Sequence, residues 1–218
     1  MKIVAISDMH GSLDPVHEIL TIENPDLLLC AGDWGVEGEV GQSDFDAITE
    51  RVFTLTVFGN HDYLDLLPLV RNPDGCPILL ENGLARPYRQ VKVGGINGIW
   101  AKSKKRLWYI NDDEVADAAR RLQPSGIDIL ITHGCPIGMA DLTPIGTRGG
   151  QRCFTEAFRA VNPKVHLCGH LHRKSHYVTK DEKVVINIGF TKEGDYAVLE
   201  SERNQFAFVA KSIQAASG

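Results

Sequence analysis

Five short polar blocks hold the side chains in this sequence best able to bind metal ions and move protons: Asp8-Met9-His10-Gly11, Gly32-Asp33, Gly59-Asn60-His61-Asp62, His133-Gly134 and Gly169-His170-Leu171-His172. Any one of them alone reads as an ordinary polar turn. Together they take five of the chain's eight histidines, more than incidental turn chemistry explains. Carboxylates and imidazoles mixed in one shell suit Mn, Fe, Zn or Co better than Mg or Ca. Asn60 adds a neutral amide oxygen for a hard cation. His61 adds a proton donor that titrates near neutrality, and Asp62 a carboxylate to orient or charge-stabilise that imidazole. In extended backbone, residues i and i+2 point the same way. Asp8 and His10 are therefore expected to reach one ion, and His170 and His172 to serve two neighbouring ions.

Each block follows an apolar run. Residues 2–7, 26–31, 55–58, 127–132 and 165–168 are nearly continuous in Val, Ile, Leu and other apolar types. That pattern predicts strands buried on both faces. A strand that ends in glycine or histidine delivers the polar block to the C-terminal edge of a sheet, where α/β folds place their chemistry. Between the strands, helices are expected over residues 12–22 with Ser12 as N-cap, 45–51, 63–70, 111–122 and 153–161. Pro15 is tolerated in the first turn of the first helix, and Asn111 with Glu114 forms a capping box for the fourth. A short strand is expected near residues 78–80 and one or two strands within 90–99, ahead of a β-rich tail with apolar runs near 184–188, 196–199 and 206–209. The glycine- and proline-bearing loop 136–150 is of a length that is often functional. Lys102, Lys104, Lys105 and Arg106 lie among Trp100, Trp108 and Tyr109. Cations beside aromatic faces suit a phosphate that carries a planar group, such as a nucleotide; a solvated surface loop is the competing reading.

With 218 residues, 43% hydrophobic and 23% charged, the chain reads as one globular domain over 1–218. A net charge of −5 argues against bulk attraction to nucleic acid or an anionic membrane. No apolar run approaches the roughly 20 residues of a membrane span. The first candidate ligand is already residue 8, which leaves no room for a signal peptide and predicts a cytoplasmic protein. Cys30, Cys76, Cys135, Cys153 and Cys168 are odd in number and form no CxxC pair, as expected of reduced thiols. Cys135 and Cys168 each lie two residues from a candidate ligand, so metal ligation competes with core packing there. His17 and His176 are assigned to the surface or helix faces, and His166 to the core.

The five blocks, in this order, resemble the calcineurin-like metallophosphoesterase superfamily. The resemblance implies an α/β (α+β) fold, a four-layer αββα sandwich of two mixed β-sheets, with two metal ions at the strands' C-terminal edge. It implies that Asp8, His10, Asp33 and His172 hold the first ion. Asp33, Asn60, His133 and His170 would hold the second, with Asp33 bridging, and Mn or Fe is favoured. It also implies a phosphoesterase acting on mono- or diesters through a metal-bridging hydroxide, with His61 as proton donor or phosphoryl contact. Two divalent ions about 3.5–4 Å apart clamp the entering and leaving oxygens of such a transfer. Two carboxylates and one hydroxide leave the pair net cationic, which attracts phosphate. The protein Ser/Thr phosphatases of the superfamily carry Asp-Arg-Gly after the second block and usually Glu at the end of the third. Here those places hold Trp34-Gly35 and Asp62, which points instead to the small bacterial and archaeal phosphoesterases. The expected partner is a small phosphorylated substrate, nucleotides included, with no membrane. A nuclease on the same site is an alternative that the acidic balance does not encourage. A binding scaffold, as in the retromer subunit with its degenerate metal site, is another. All five block histidines are retained here, against the scaffold reading.

Overall fold

The computed structural model describes residues 1–202 and 205–213. In chain order its first half runs β1 (Lys2–Ile6), α1 (Asp14–Glu23), β2 (Leu27–Cys30), α2 (Gln42–Thr49), β3 (Phe53–Thr56), β4 (Ala85–Tyr88), β5 (Val91–Ile96), β6 (Ile99–Trp100), β7 (Tyr109–Ile110) and α3 (Asp112–Leu122). There follow β8 (Ile129–Thr132), α4 (Arg152–Val161), β9 (Val165–Cys168), β10 (Ser175–Val178), β11 (Val184–Asn187), β12 (Asp195–Glu202) and β13 (Gln205–Ser212). Of the two large sheets, one has the order β13-β12-β1-β2-β3 and the other β10-β11-β9-β8-β5-β4, and β6 and β7 form a small third sheet. β1, β2 and β3 are parallel, as are β5, β8, β9 and β11, while β4, β10, β12 and β13 pair antiparallel.

Period-2 alternation distributes the apolar strands between layers. Ile3, Ala5, Leu27 and Leu29 of the first sheet meet Ile129, Ile131, Val165, Leu167 and Ile186 of the second in one buried cluster. Their neighbours Val4, Ile6, Leu28 and Cys30 face the other way, onto Val16 and Ile19 of α1 and Phe45 and Ile48 of α2. Behind the second sheet, Leu130 packs with Val115 and Leu122 of α3 and Phe154 of α4. The layers are thus helix, sheet, sheet, helix, as the resemblance implies. Strands apolar at every position are explained by burial on both faces. Among the described residues no helix is long and apolar enough to cross a membrane.

Some expected elements shift. Ser12 does not cap α1, which starts at Asp14 with Leu13 at the N-cap and no side-chain cap bond. α2 starts at Gln42 because the Asp44 carboxylate accepts the Gly41 N–H at 2.8 Å. Of the helix expected over 63–70, only the 3₁₀ turn Leu67–Leu69 forms. Near 78–80 a single bridge between Thr56 and Leu79 replaces the strand. β10 falls in the expected β-rich tail but outside its three apolar runs: it is an edge strand with exposed residues on both faces and no apolar alternation. Asn111 and Glu114 form the predicted capping box. The last five residues of the expected 1–218 domain lie outside the described residues.

Candidate metal centre

The ends of β1, β2 and β3 in one sheet and of β8 and β9 in the other bring the five polar blocks together. The backbone that presents them is not extended. Asp8 (φ 61°), His10 (45°), Asp33 (61°), His170 (68°) and His172 (50°) all adopt left-handed conformations. The i, i+2 pairs therefore converge for a different reason than strand alternation. Such conformations cost non-glycine residues roughly 1–3 kcal/mol each and concentrate at functional sites. Cross-loop hydrogen bonds hold them: the Asp8 N–H donates to the Gly32 carbonyl at 3.0 Å, and the Met9 and His10 N–H groups to the Asp33 carbonyl at 2.9 and 3.1 Å.

Asp8, His10 and His172 present ligand atoms within reach of one ion, Asp33, His133 and His170 do the same beside them, and a third group of His10, Asp33 and His61 links these two sets. His172 Nε2 lies 3.2 Å from Asp8 Oδ1 and 3.3 Å from His10 Nε2. Asp33 Oδ2 lies 3.8 Å from His10 Nε2 and 3.3 Å from His133 Nε2, which places it between the two sets. Three buried atoms here make no hydrogen bond: Asp8 Oδ1, Asn60 Oδ1 and His133 Nε2. Unsatisfied buried polar atoms are costly. They belong to residues that the resemblance assigns as ligands, and a pair of cations, one in each set, would satisfy all three.

The remaining lone pairs are committed to orientation. Ser7 Oγ and the His170 N–H donate to Asp8 Oδ2 at 2.5 and 2.9 Å, so Oδ1 is left for a ligand role. The His61 N–H donates to Asp33 Oδ1 at 2.7 Å, leaving Oδ2. His133 Nδ1 lies 2.7 Å from the Ala31 carbonyl; that bond fixes the tautomer and frees Nε2 toward the centre. Asp62 departs from its expected role on His61. Both its oxygens accept backbone N–H groups, from Asp33 at 2.8 Å, Trp34 at 2.8 Å and Gly59 at 2.7 Å. It ties the second block to the third and acts as a positioning residue. Burial and the nearby Asp33 charge raise its carboxyl to about 6.

The field at the centre is that of a cation site. Burial opposes charge on His133, yet the carboxylates of Asp33 and Asp8 outweigh it and lift the imidazolium to about 10. Burial would likewise raise Asp33, but His133 and the His61 N–H hold it far below the usual carboxylate range. Burial, and then the charge of His133, lowers His170 to about 4, and burial lowers His10, which keeps their nitrogens available as neutral ligands.

A sequence model of the family described as calcineurin-like phosphoesterase matches residues 1–174. The chain belongs to that family. Relatives include the human metallophosphoesterase domain-containing protein 1, 26% identical over 201 residues that cover 78% of this chain and 60% of that one. A UPF0046 protein of Caenorhabditis elegans is 40% identical over 208 residues, covering 79% of this chain and 51% of its own. The chain therefore spans about half to three fifths of the length of these curated relatives. Solved structures with the same fold include the TT1561 protein of Thermus thermophilus, with a TM-score of 0.71 at 16% identity, covering 96% of this chain and 98% of that one. Another is a dimetal phosphatase from Danio rerio, with a TM-score of 0.64 at 10% identity, covering 97% and 96%.

Within this member of the calcineurin-like phosphoesterase family, His61 is exposed at the rim, its ring edge-on to His10 with centroids 4.8 Å apart. Cys135 and Cys168 are buried among Phe158, Leu171 and Val185 with Sγ atoms 2.7 Å apart. Neither belongs to a group that could hold a metal ion among the described residues, which leaves them as packing residues. His166 is a core residue against Thr132 Oγ1 at 2.8 Å, and His176 is exposed on β10. In the basic stretch, Lys104 pairs with Glu114 at 2.6 Å and Arg106 lies over the Trp108 ring. Lys104 also lines a cavity of about 440 Å³ with Phe58, Asn82, Tyr109 and Arg121. None of the candidate ligands lines that cavity. Ser7, Thr191 and Phe190 touch the centre without any signal in the sequence, because they carry no metal-binding motif and Thr191 and Phe190 come from far along the chain.

Proposed function

We propose that this chain is a dinuclear, metal-dependent phosphoesterase hydrolysing mono- or diesters of a small phosphorylated substrate, nucleotides included, in the cytoplasm. The observation that carries this reading is the set of three buried, unbonded atoms, Asp8 Oδ1, Asn60 Oδ1 and His133 Nε2, on residues beside two sets of ligands that His10 and Asp33 link. Asp8, His10, Asp33 and His172 would hold one ion. Asp33, Asn60, His133 and His170 would hold the other, with Mn or Fe favoured. When bound, two such ions polarise phosphoryl oxygens and activate water. Asp33 keeps the ligand sets in register, because its Oδ1 is held by the His61 amide while Oδ2 faces both. His61, exposed beside His10, would give a proton to the leaving oxygen. Support from the fold comes from its likeness to the Danio rerio dimetal phosphatase.

The test is elemental analysis of reconstituted protein together with hydrolysis of p-nitrophenyl phosphate, bis-p-nitrophenyl phosphate and a nucleotide panel. Two ions per chain, falling to one in Asn60→Ala or His133→Ala, and turnover of at least one ester are expected. A single ion unaffected by those replacements, or no hydrolysis with any metal, refutes the proposal.

A further inference from the structure

A histidine that ligates a metal is normally oriented by a hydrogen bond through its other ring nitrogen. His133 follows that rule through Ala31. His10 and His172 do not: among the described residues their hydrogen-bond contact is the one between their Nε2 atoms. His172 is also well exposed, with 37% of its side chain accessible. Among the described residues no protein group fixes the rotation of these two rings through the usual hydrogen bond.

Phe190 supplies another restraint. Its ring lies flat on His172, with centroids 4.2 Å apart and planes 9° from parallel, and stands edge-on to His10 at 5.8 Å and 68°. A flat aromatic contact restricts the rotation of the imidazole about its Cβ–Cγ bond and removes water from one face. The segment that carries Phe190 is bonded to the strand end that carries Asp8. The Thr191 N–H donates to the Ser7 carbonyl at 2.9 Å, the Ser7 N–H to Thr191 Oγ1 at 3.0 Å, and the Lys192 N–H to the Asp8 carbonyl at 3.3 Å. This anchorage sets Phe190 in register with the Asp8 side chain as well as with both histidines. The segment follows β11 and lies beyond residues 1–174, the stretch that matches the family.

We propose that Phe190 is a positioning residue of the first metal site, where stacking replaces the missing orienting hydrogen bonds of His172 and His10. The inference rests on the reading that Asp8, His10 and His172 hold an ion. Calorimetric titration of metal-free protein with Zn²⁺ tests it, with His172→Ala marking the first-site binding step and Asn60→Ala the second. Phe190→Leu, which keeps apolar bulk but loses the flat face, is expected to weaken the first step by roughly 10–100-fold and leave the second unchanged. Phe190→Trp is expected to restore the first step. Thermal melts followed by circular dichroism show whether each variant is folded, and the Leu and Trp variants decide the matter if Phe190→Ala does not fold. Parent-like binding in Phe190→Leu overturns this inference alone, as does equal weakening of both steps, which would signal general loosening. A parent protein with no binding step lost in His172→Ala overturns the two-metal reading and this inference with it.

Discussion

Replacing Gly59 by alanine isolates the steric demand of the centre. Gly59 has no left-handed φ, so alanine is acceptable to the backbone and the cost is one of space. A Cβ there would sit 2.5 Å from both Nε2 and Cδ2 of His133 and closer still to Asp33 Oδ1. Asp33 has no easy retreat, because Oδ1 is held by the His61 N–H at 2.7 Å and its own φ is left-handed at 61°. The Gly59 N–H is itself held by Asp62 at 2.7 Å. Overpacking of this kind costs about 1–3 kcal/mol, which in a chain of this size lowers Tm by roughly 2–12 °C. A displacement of about 1 Å at a reacting centre costs on the order of 10²-fold in rate, and Asp33 and His133 would lose their mutual alignment with it. Gly95→Ala is the control: its Cβ would meet Val57 Cγ1 at 2.7 Å and Leu80, both distant from any ligand role. Melting curves and metal analysis of the two variants provide the assay. Both are expected to melt lower, with only Gly59→Ala losing metal. Full metal content and parental turnover in Gly59→Ala would refute the packing of Gly59 against the shared carboxylate.

His61→Ala is expected to lower turnover by roughly 10²–10⁴-fold, the worth of a positioned general acid, with metal content intact; loss of an ion from the purified variant would make His61 a ligand instead. Burial lowers His166 to about 3, while an unfolded histidine titrates near 6.5. Above that value both states are neutral. As pH falls from 6.5 toward 3 the unfolded chain alone takes up the proton, and stability drops by about 1.4 kcal/mol per pH unit. Urea melts at pH 7 and pH 5 should show the parent losing about 2 kcal/mol more than His166→Gln; equal losses would show that His166 charges in the folded state.

Local patterns in the sequence carried much of the architecture. Continuous apolar strands are the mark of double burial, and the side chains of β1 and β2 divide between the inner and outer clusters as that implies. The Asn111–Glu114 cap needs only three residues of separation and formed as expected. The polar blocks that meet at the centre were legible because metal chemistry restricts residue type and because each block ends a strand. What tertiary structure alone decided depends on contacts between distant segments. Whether Asp62 faces His61 or the amides of Asp33 and Trp34 is settled by how the β2 and β3 loops dock, some 28–29 residues apart. The left-handed backbone at Asp8, His10, His170 and His172 is a strain that cross-loop hydrogen bonds hold, and residue type gives little sign of it. Phe190 looks like any core aromatic in the sequence. Only the pairing of Thr191 with Ser7 sets its ring on His172, since no local propensity encodes a contact between opposite ends of a chain.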